Sequence, residues 1–250
     1  MQVTPVAGLP EIREGDDLAA LIDERAVLQP GDVLCVASTV VSKAEGRTFD
    51  FADFPAGERA RAIADRLEAI TGESKDPRFA QAVIEESEEL IVEAPFILAV
   101  THFGHITVNA GIDRSNVPGG DLLLLPEDPS ASAERLHEAL DVPVVVTDTS
   151  GRPFRYGQRG VAVGWAGIPA SRDWRGETDR EGREMEATVQ SVVDELAGAA
   201  NLVTGEGDGG TPAAVVRGFE FGDHEGSNNL FRSEADDIVR AALREWEFEG

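Results

Sequence analysis

Apolar residues along this chain fall into two kinds of run. Short continuous or alternating runs predict strands at Val3–Leu9, Asp32–Ser38, Glu89–Glu93, Ile97–Thr101, Ile106–Ala110, Leu122–Leu125, Val142–Thr147 and Gly160–Trp165. Longer stretches with apolar positions three and four apart predict helices at Asp16–Ala26, Gly57–Thr71, Pro77–Ser87, Ser130–Leu140, Arg180–Ala200 and Ser233–Trp246. Ser233 opens the last of these and Asp236 follows three positions on, an approximate capping box. Gly198–Gly210 reads as a helix exit into a glycine-rich loop. Strands and helices mix without strict alternation, and the three strands between Glu89 and Ala110 follow one another across short turns. The order predicts an α/β fold of mixed α+β character, rich in antiparallel pairing, rather than a doubly wound sheet. A length of 250 residues fits one large domain or two small ones sharing a core.

Charge changes the picture most. There are 47 acidic and 22 basic residues, a formal net charge of −25. Lys43 and Lys75 are the only lysines; every other basic residue is arginine. Self-repulsion on this scale weakens a compact state in dilute buffer and is screened in concentrated salt. The acids are spread over helices with apolar faces, which predicts a folded halophilic protein rather than a disordered acidic one. No basic patch serves nucleic acid or an anionic membrane. No apolar run approaches the length of about 20 residues needed to span a bilayer. Met1–Pro5 has no basic region leading into an apolar stretch, so no signal peptide is expected and the protein is placed in the cytoplasm.

Candidate chemistry follows from position. Asp148 ends the apolar run Val142–Thr147, and Asp113 ends Ile106–Ile112. Carboxylates at the ends of core strands suit Mg²⁺ or Mn²⁺, which prefer hard oxygen donors; helix or turn capping is the alternative role. The loop Gly205-Glu206-Gly207-Asp208-Gly209-Gly210-Thr211 contains a formal G-x-G-x-x-G. A helix precedes it and Pro212 with an apolar run follows, the wrong context for a dinucleotide fingerprint, and no Lys-Ser/Thr follows as in a Walker loop. Its amides suit phosphate oxygens, with a cation between those oxygens and its acids; a flexible connector is the alternative. Ser38-Thr39-Val40-Val41-Ser42-Lys43 leaves a strand with three hydroxyls and a lysine that suits a phosphate as a point charge, or is a surface residue. His102 and His105 lack further ligands at zinc spacing and read as turn or core histidines. Cys35 reads as a small buried strand residue, and Ser150 as part of a turn.

Together these segments resemble the coenzyme F420-0:L-glutamate ligase family. The matching stretches are Gly8–Ile12, Ser38–Gly46, Asp76–Arg78, Glu85–Ser87, Gly111–Asn116, Thr147–Pro153 and Arg159–Gly164. The pairing of Gly-Ile-Asp-x-Ser-Asn with Thr-Asp-Thr-x-Gly-Arg-Pro is specific. The resemblance implies an unusual ligase fold in an intertwined homodimer, with residues 1–250 as one catalytic unit or two intertwined subdomains. It implies GTP-dependent addition of L-glutamate to coenzyme F420-0, and of successive γ-linked glutamates, through an acyl phosphate. By the same resemblance Leu9, Pro10, Glu11, Ile12, Ser38, Thr39, Lys43 and Asn116 contact GTP, and Thr204 with Gly205–Thr211 wraps it. Asp113 and Asp148 hold one divalent ion, Mg²⁺ or Mn²⁺, and Thr149 and Glu206 a second; K⁺ is also expected. Asp208 has no assigned role within the loop. The runner-up reading of the residues is a metal-dependent phosphotransferase or nucleotide hydrolase, and the alternative that is not an enzyme is a GTP-binding module that does not turn over.

Overall fold

The apolar runs fold into thirteen strands and seven helices among residues 1–246, which the computed structural model describes. The chain opens with β1 (Gln2–Pro5), α1 (Leu18–Asp23), β2 (Val33–Ala37) and α2 (Ser38–Ala44). Next come β3 (Thr48–Phe49), α3 (Glu58–Thr71), α4 (Pro77–Glu85), β4 (Ser87–Val92), β5 (Leu98–Thr101), β6 (Ile106–Val108) and β7 (Leu122–Leu123). They are followed by α5 (Pro129–Leu140), β8 (Val144–Ser150), β9 (Arg159–Ala166), β10 (Ser171–Asp173), β11 (Val189–Ser191), α6 (Val192–Thr204), β12 (Ala213–Arg217) and β13 (Glu225–Ser227), and α7 (Ile238–Arg244) closes the series. The expected mixed fold with several antiparallel sheets is what forms. No helix among the described residues is long and apolar enough to cross a membrane.

The chain divides into two units. Unit 1 takes Met1–Glu45 and Asp128–Leu230; unit 2 takes Gly46–Glu127 and the chain from Phe231. Unit 1 is built on a five-stranded sheet of order β1-β12-β2-β8-β9. Every pairing in it is antiparallel except β2 with β8. Parallel strands need a long crossover, and here all of Gly46–Glu127 together with α5 separates the two in sequence. Val33, Cys35, Val145, Ala162, Ala214 and Val216 of this sheet share a core with Val192, Val193 and Leu196 of α6. Helix and sheet approach closely where glycine leaves room. A Cβ on Gly160 would lie 2.5 Å from the Ala197 carbonyl oxygen, and one on Gly164 would lie 2.3 Å from the Pro129 carbonyl. Gly164→Ala is therefore expected to destabilise the protein by about 2 kcal/mol, because backbone cannot yield as a side chain can; urea unfolding measures it.

Unit 2 packs α3 and α4 on strands. Ala60, Ile63, Ala64 and Leu67 recur at helical spacing and bury one face of α3, which stops at Gly72 in the left-handed region (φ 72°). Asp76 caps α4 by accepting from the Arg78 amide, and Pro77 sits at the first helical position, where no N–H is needed. α7 is tied to β4 by charge. Glu89 accepts from Arg240 Nε at 3.0 Å and from Arg244 Nε at 2.5 Å. These guanidinium bonds, Arg244's first, lower the Glu89 carboxyl from 4.5 to about 2. A carboxyl whose folded pKa is depressed contributes stability above its unfolded pKa and loses it as the pH falls through the folded one. Amide protection in α7, taken relative to the intrinsic exchange rate at each pH, is therefore expected to be full above pH 4.5 and to fall as the pH drops toward about 2.

Two expected elements change. The Arg180–Ala200 pattern is not one helix: α6 begins at Val192, β11 occupies Val189–Ser191, and Thr178 bridges Glu184. Residues 180–188 carry only Met185 and Ala187 as apolar side chains, too few for a buried stripe. Asp179 accepts from the amides of Glu181 and Arg183, and Gly182 is left-handed (φ 78°), which together make a turn. α6 then runs on to Thr204, so Gly198 lies inside the helix and not in its exit. The final helix starts later than Ser233. Ser233 bonds Asp236 within a short 3-10 turn, and Asp237 is the true cap, accepting from the amides of Val239 and Arg240.

Candidate nucleotide and metal site

Parallel strands end at the same edge of a sheet, and in unit 1 that edge collects most of the expected site. β2 passes directly into α2 at Ser38, and β8 runs out to Ser150. β12, antiparallel to β2, begins at the same edge, where the Ala37 amide donates to the Pro212 carbonyl at 2.8 Å. The glycine loop between α6 and β12 is delivered there too.

Alternation along β8 separates its two candidate ligands. Val145 faces α6, so Thr149, four residues on, continues that side. Asp148 continues the side of Val144 and Val146. Their partners agree. The Ser38 hydroxyl donates to Asp148 Oδ1 at 3.3 Å. On the other side the Thr149 hydroxyl donates to Glu206 Oε1 at 3.1 Å. Asn201 Nδ2 also donates to Glu206 Oε1, at 2.6 Å. Asn201 was not legible as a site residue. It lies on the last turns of α6, in a stretch the sequence pattern assigned to the loop.

The loop itself is built by glycine. Gly205 (φ 71°) ends α6 and Gly210 (φ 62°) turns the chain into β12, both in the left-handed region where a Cβ is strained. The Thr211 hydroxyl donates to the Thr204 carbonyl at 3.3 Å and closes the loop at its base. Gly205, Glu206, Gly207, Asp208, Gly209 and Gly210 are exposed. Glu206 is tethered; Asp208 makes no hydrogen bond or ion pair among the described residues.

Lys43 is 6% exposed on α2, and its ammonium meets Glu11 Oε1 at 2.6 Å. A buried ammonium needs such a partner. Two residues expected near nucleotide, one on the Leu9–Ile12 segment and one on α2, are thus joined. Leu9 is half-buried, Pro10 exposed and Ile12 buried, while Arg25 Nε donates to the Gly8 carbonyl at 2.7 Å and holds the start of the segment. Thr39 is half-buried next to Ser38.

Asp113 and Asn116 belong to unit 2. Asn109, Ala110 and Gly111 are successively left-handed (φ 56°, 53° and 71°), a conformation that non-glycine residues adopt only under constraint. The chain then reaches Asp113, whose backbone bridges Leu123. The Asp113 carboxylate accepts from the Ser115 amide at 2.7 Å and hydroxyl at 2.8 Å, and Asn116 is left-handed (φ 51°).

The donor set around β8 is carboxylate and hydroxyl oxygen, with neither imidazole nor thiolate. Among the described residues no three His, Cys, Asp or Glu gather into a metal cage. Mg²⁺ and Mn²⁺ do not require one: they keep waters and take one or two carboxylates together with phosphate oxygens. The residues therefore fit a hard ion completed by a bound phosphate. They do not fit zinc. His102 Nε2 lies 2.9 Å from the Glu85 carbonyl, and His105 is buried with its ring between those of Phe103 and Phe231. Cys35 is buried and its thiol is pushed up to about 12, which leaves it protonated and inert at neutral pH. The Ser150 hydroxyl donates to the Gly151 carbonyl next to it.

Comparison with known proteins gives the family of the chain. Residues 8–218 match the family described as F420-0:Gamma-glutamyl ligase. The chain is 75% identical to the coenzyme F420:L-glutamate ligase of Natronomonas pharaonis over 250 residues, covering 100% of this chain and 99% of the relative. It is 66% identical to that of Halobacterium salinarum over 252 residues, covering all of both. It is 48% identical to that of Archaeoglobus fulgidus, covering 98% of each. The matched span takes in every segment just described, from the Leu9–Ile12 stretch to the end of β12, and the chain belongs to the F420-0:gamma-glutamyl ligase family.

Proposed function

We propose that this protein joins L-glutamate to coenzyme F420-0, and then further glutamates in γ-linkage, using GTP. Membership of the family and relatives named for this activity support the ligase reading. The observation that carries the nucleotide and metal chemistry is the sheet edge where Ser38 meets Asp148 and Thr149 meets Glu206.

A free carboxylate is a poor acyl donor. Transfer of the γ-phosphoryl group of GTP to the acceptor carboxylate gives an acyl phosphate and GDP. The glutamate amine then attacks the acyl carbon, the C–O bond to phosphate breaks, phosphate leaves, and the amine gives up a proton. Such transfer needs alignment and charge neutralisation more than a protein nucleophile. Divalent ions, Mg²⁺ or Mn²⁺, two to a protomer, supply positive charge against the phosphate oxygens when bound. Asp148 would hold one of them and Thr149 with Glu206 the other, and Asp113 would be a further ligand. Thr204 to Thr211 follow the nucleotide phosphates through backbone amides. Lys43 carries its charge to the phosphate when the exposed Glu11 carboxylate yields it, and Leu9–Ile12, Ser38, Thr39 and Asn116 complete the nucleotide contacts. K⁺ is a further cofactor in this reading, and the cytoplasm, where GTP and glutamate are found, is the compartment.

The working form is a homodimer, a reading that rests on family resemblance. Light scattering is expected to give about twice 26.7 kDa at high salt; a mass of one chain at assay concentration overturns it. The ligase reading is tested by following GDP. Its release is expected to require F420-0 and glutamate together; equal release without either points to a nucleotide hydrolase.

A further inference from the structure

Strands β8 and β9 are joined by a turn that stands out against the rest of the chain. Phe154 is 105% exposed and Tyr156, the sole tyrosine, 104% exposed. Phe154 is also held left-handed (φ 66°), a conformation bulky residues rarely take. Arg152, Arg155 and Arg159 flank these rings, and no acid occurs between Asp148 and Asp173. In a chain with 47 acids, none of these three arginines makes an ion pair among the described residues. The Arg152 Nε is buried without a hydrogen-bond partner. Two aromatic faces shown to water, beside three cations without counter-charges, form a surface for a flat ring that carries negative charge.

We propose that the β8–β9 turn is the docking platform for the acceptor substrate, F420-0, a planar deazaflavin ring on a tail bearing a phosphodiester and a carboxylate. Phe154 and Tyr156 stack on or beside the ring, and Arg152, Arg155 and Arg159 meet the anionic tail. This deepens the ligase reading above and rests on it. GTP is also flat and anionic, but that reading places its phosphates at Ser38, Lys43 and the glycine loop. The turn continues the strand that carries Asp148 and Thr149, and the chain from Thr149 to Phe154 spans at most about 17 Å. A long substrate held by its ring at the turn can thus present its carboxylate end at the strand residues.

The test uses the full chain and the fluorescence of F420-0, titrated in the absence of GTP and glutamate. Phe154→Ala with Tyr156→Ala is expected to weaken F420-0 binding about tenfold or more. Arg155→Glu should weaken it comparably, with the effect shrinking as KCl rises. The KM for GTP should stay within about twofold in both variants. The substituted side chains are exposed, and circular dichroism confirms folding. Unchanged F420-0 affinity overturns the proposal. So does a loss of affinity accompanied by a fall in mass by light scattering, which identifies the occupant of the turn as a second copy of the chain. A wild-type protein that binds no F420-0 at all overturns the ligase reading together with the proposal, and is thereby told apart from failure of the turn alone.

Discussion

Asp148→Asn is expected to lower glutamyl transfer by about a hundredfold or more, with the fold retained. The amide keeps the shape of the side chain, and its oxygen can still accept from the Ser38 hydroxyl now 3.3 Å from Oδ1. What is lost is the charge that a hard cation requires. Asp148 is half-buried in β8, beyond the buried Val144–Val146. Removing one carboxylate from a chain of 47 acids relieves repulsion, and the metal-free protein should be as stable as wild type or slightly more so. Turnover across a Mn²⁺ titration, with circular dichroism as the folding control, reads both effects. Asp113→Asn is expected to act in the same direction. A folded Asp148→Asn protein with near-normal turnover at low Mn²⁺ removes Asp148 from the metal site.

The thermal midpoint is expected to climb by about 10 °C or more as KCl rises from roughly 0.1 M to 2 M. Acids outnumber lysines and arginines by 47 to 22, an excess of 25 negative charges. Their repulsion acts over about 10 Å at 0.1 M salt and only about 3 Å at 1 M. Short pairs such as Arg217 with the buried Asp32, at 2.7 Å, are screened much less and should persist throughout. A midpoint that is flat or falls over this range contradicts the halophilic reading.

How much of this was legible in the sequence depends on where each signal lives. Continuous apolar runs marked β2, β8 and β9, because buried strands carry no polar side. The stripe through Ala60, Ile63, Ala64 and Leu67 marked α3. Asp148 was legible because a carboxylate closing such a run stands out. Acid-rich segments were not legible in the same way. In residues 180–188, helix-favouring Glu and Arg outnumber apolar residues, and only Asp179's bonds to two amides and the left-handed Gly182 show why the chain turns instead. Misplacing α6 by several residues also hid Asn201, whose contact with Glu206 exists only once the helix runs to Thr204. The Lys43–Glu11 pair joins residues 32 positions apart and no local pattern announces it. No local pattern singles out the rings of Phe154 and Tyr156; only their accessibility sets them apart.

The central claim is that this sheet edge serves a glutamate ligase rather than a nucleotide hydrolase or a silent GTP binder. One incubation tests it most directly: the purified protein with F420-0, L-glutamate, GTP and Mn²⁺ in concentrated KCl, read by mass. The account predicts F420 species heavier by one or more glutamyl units, formed only when all four are present. GDP with F420-0 left at its original mass, or bound GTP with no turnover, contradicts it.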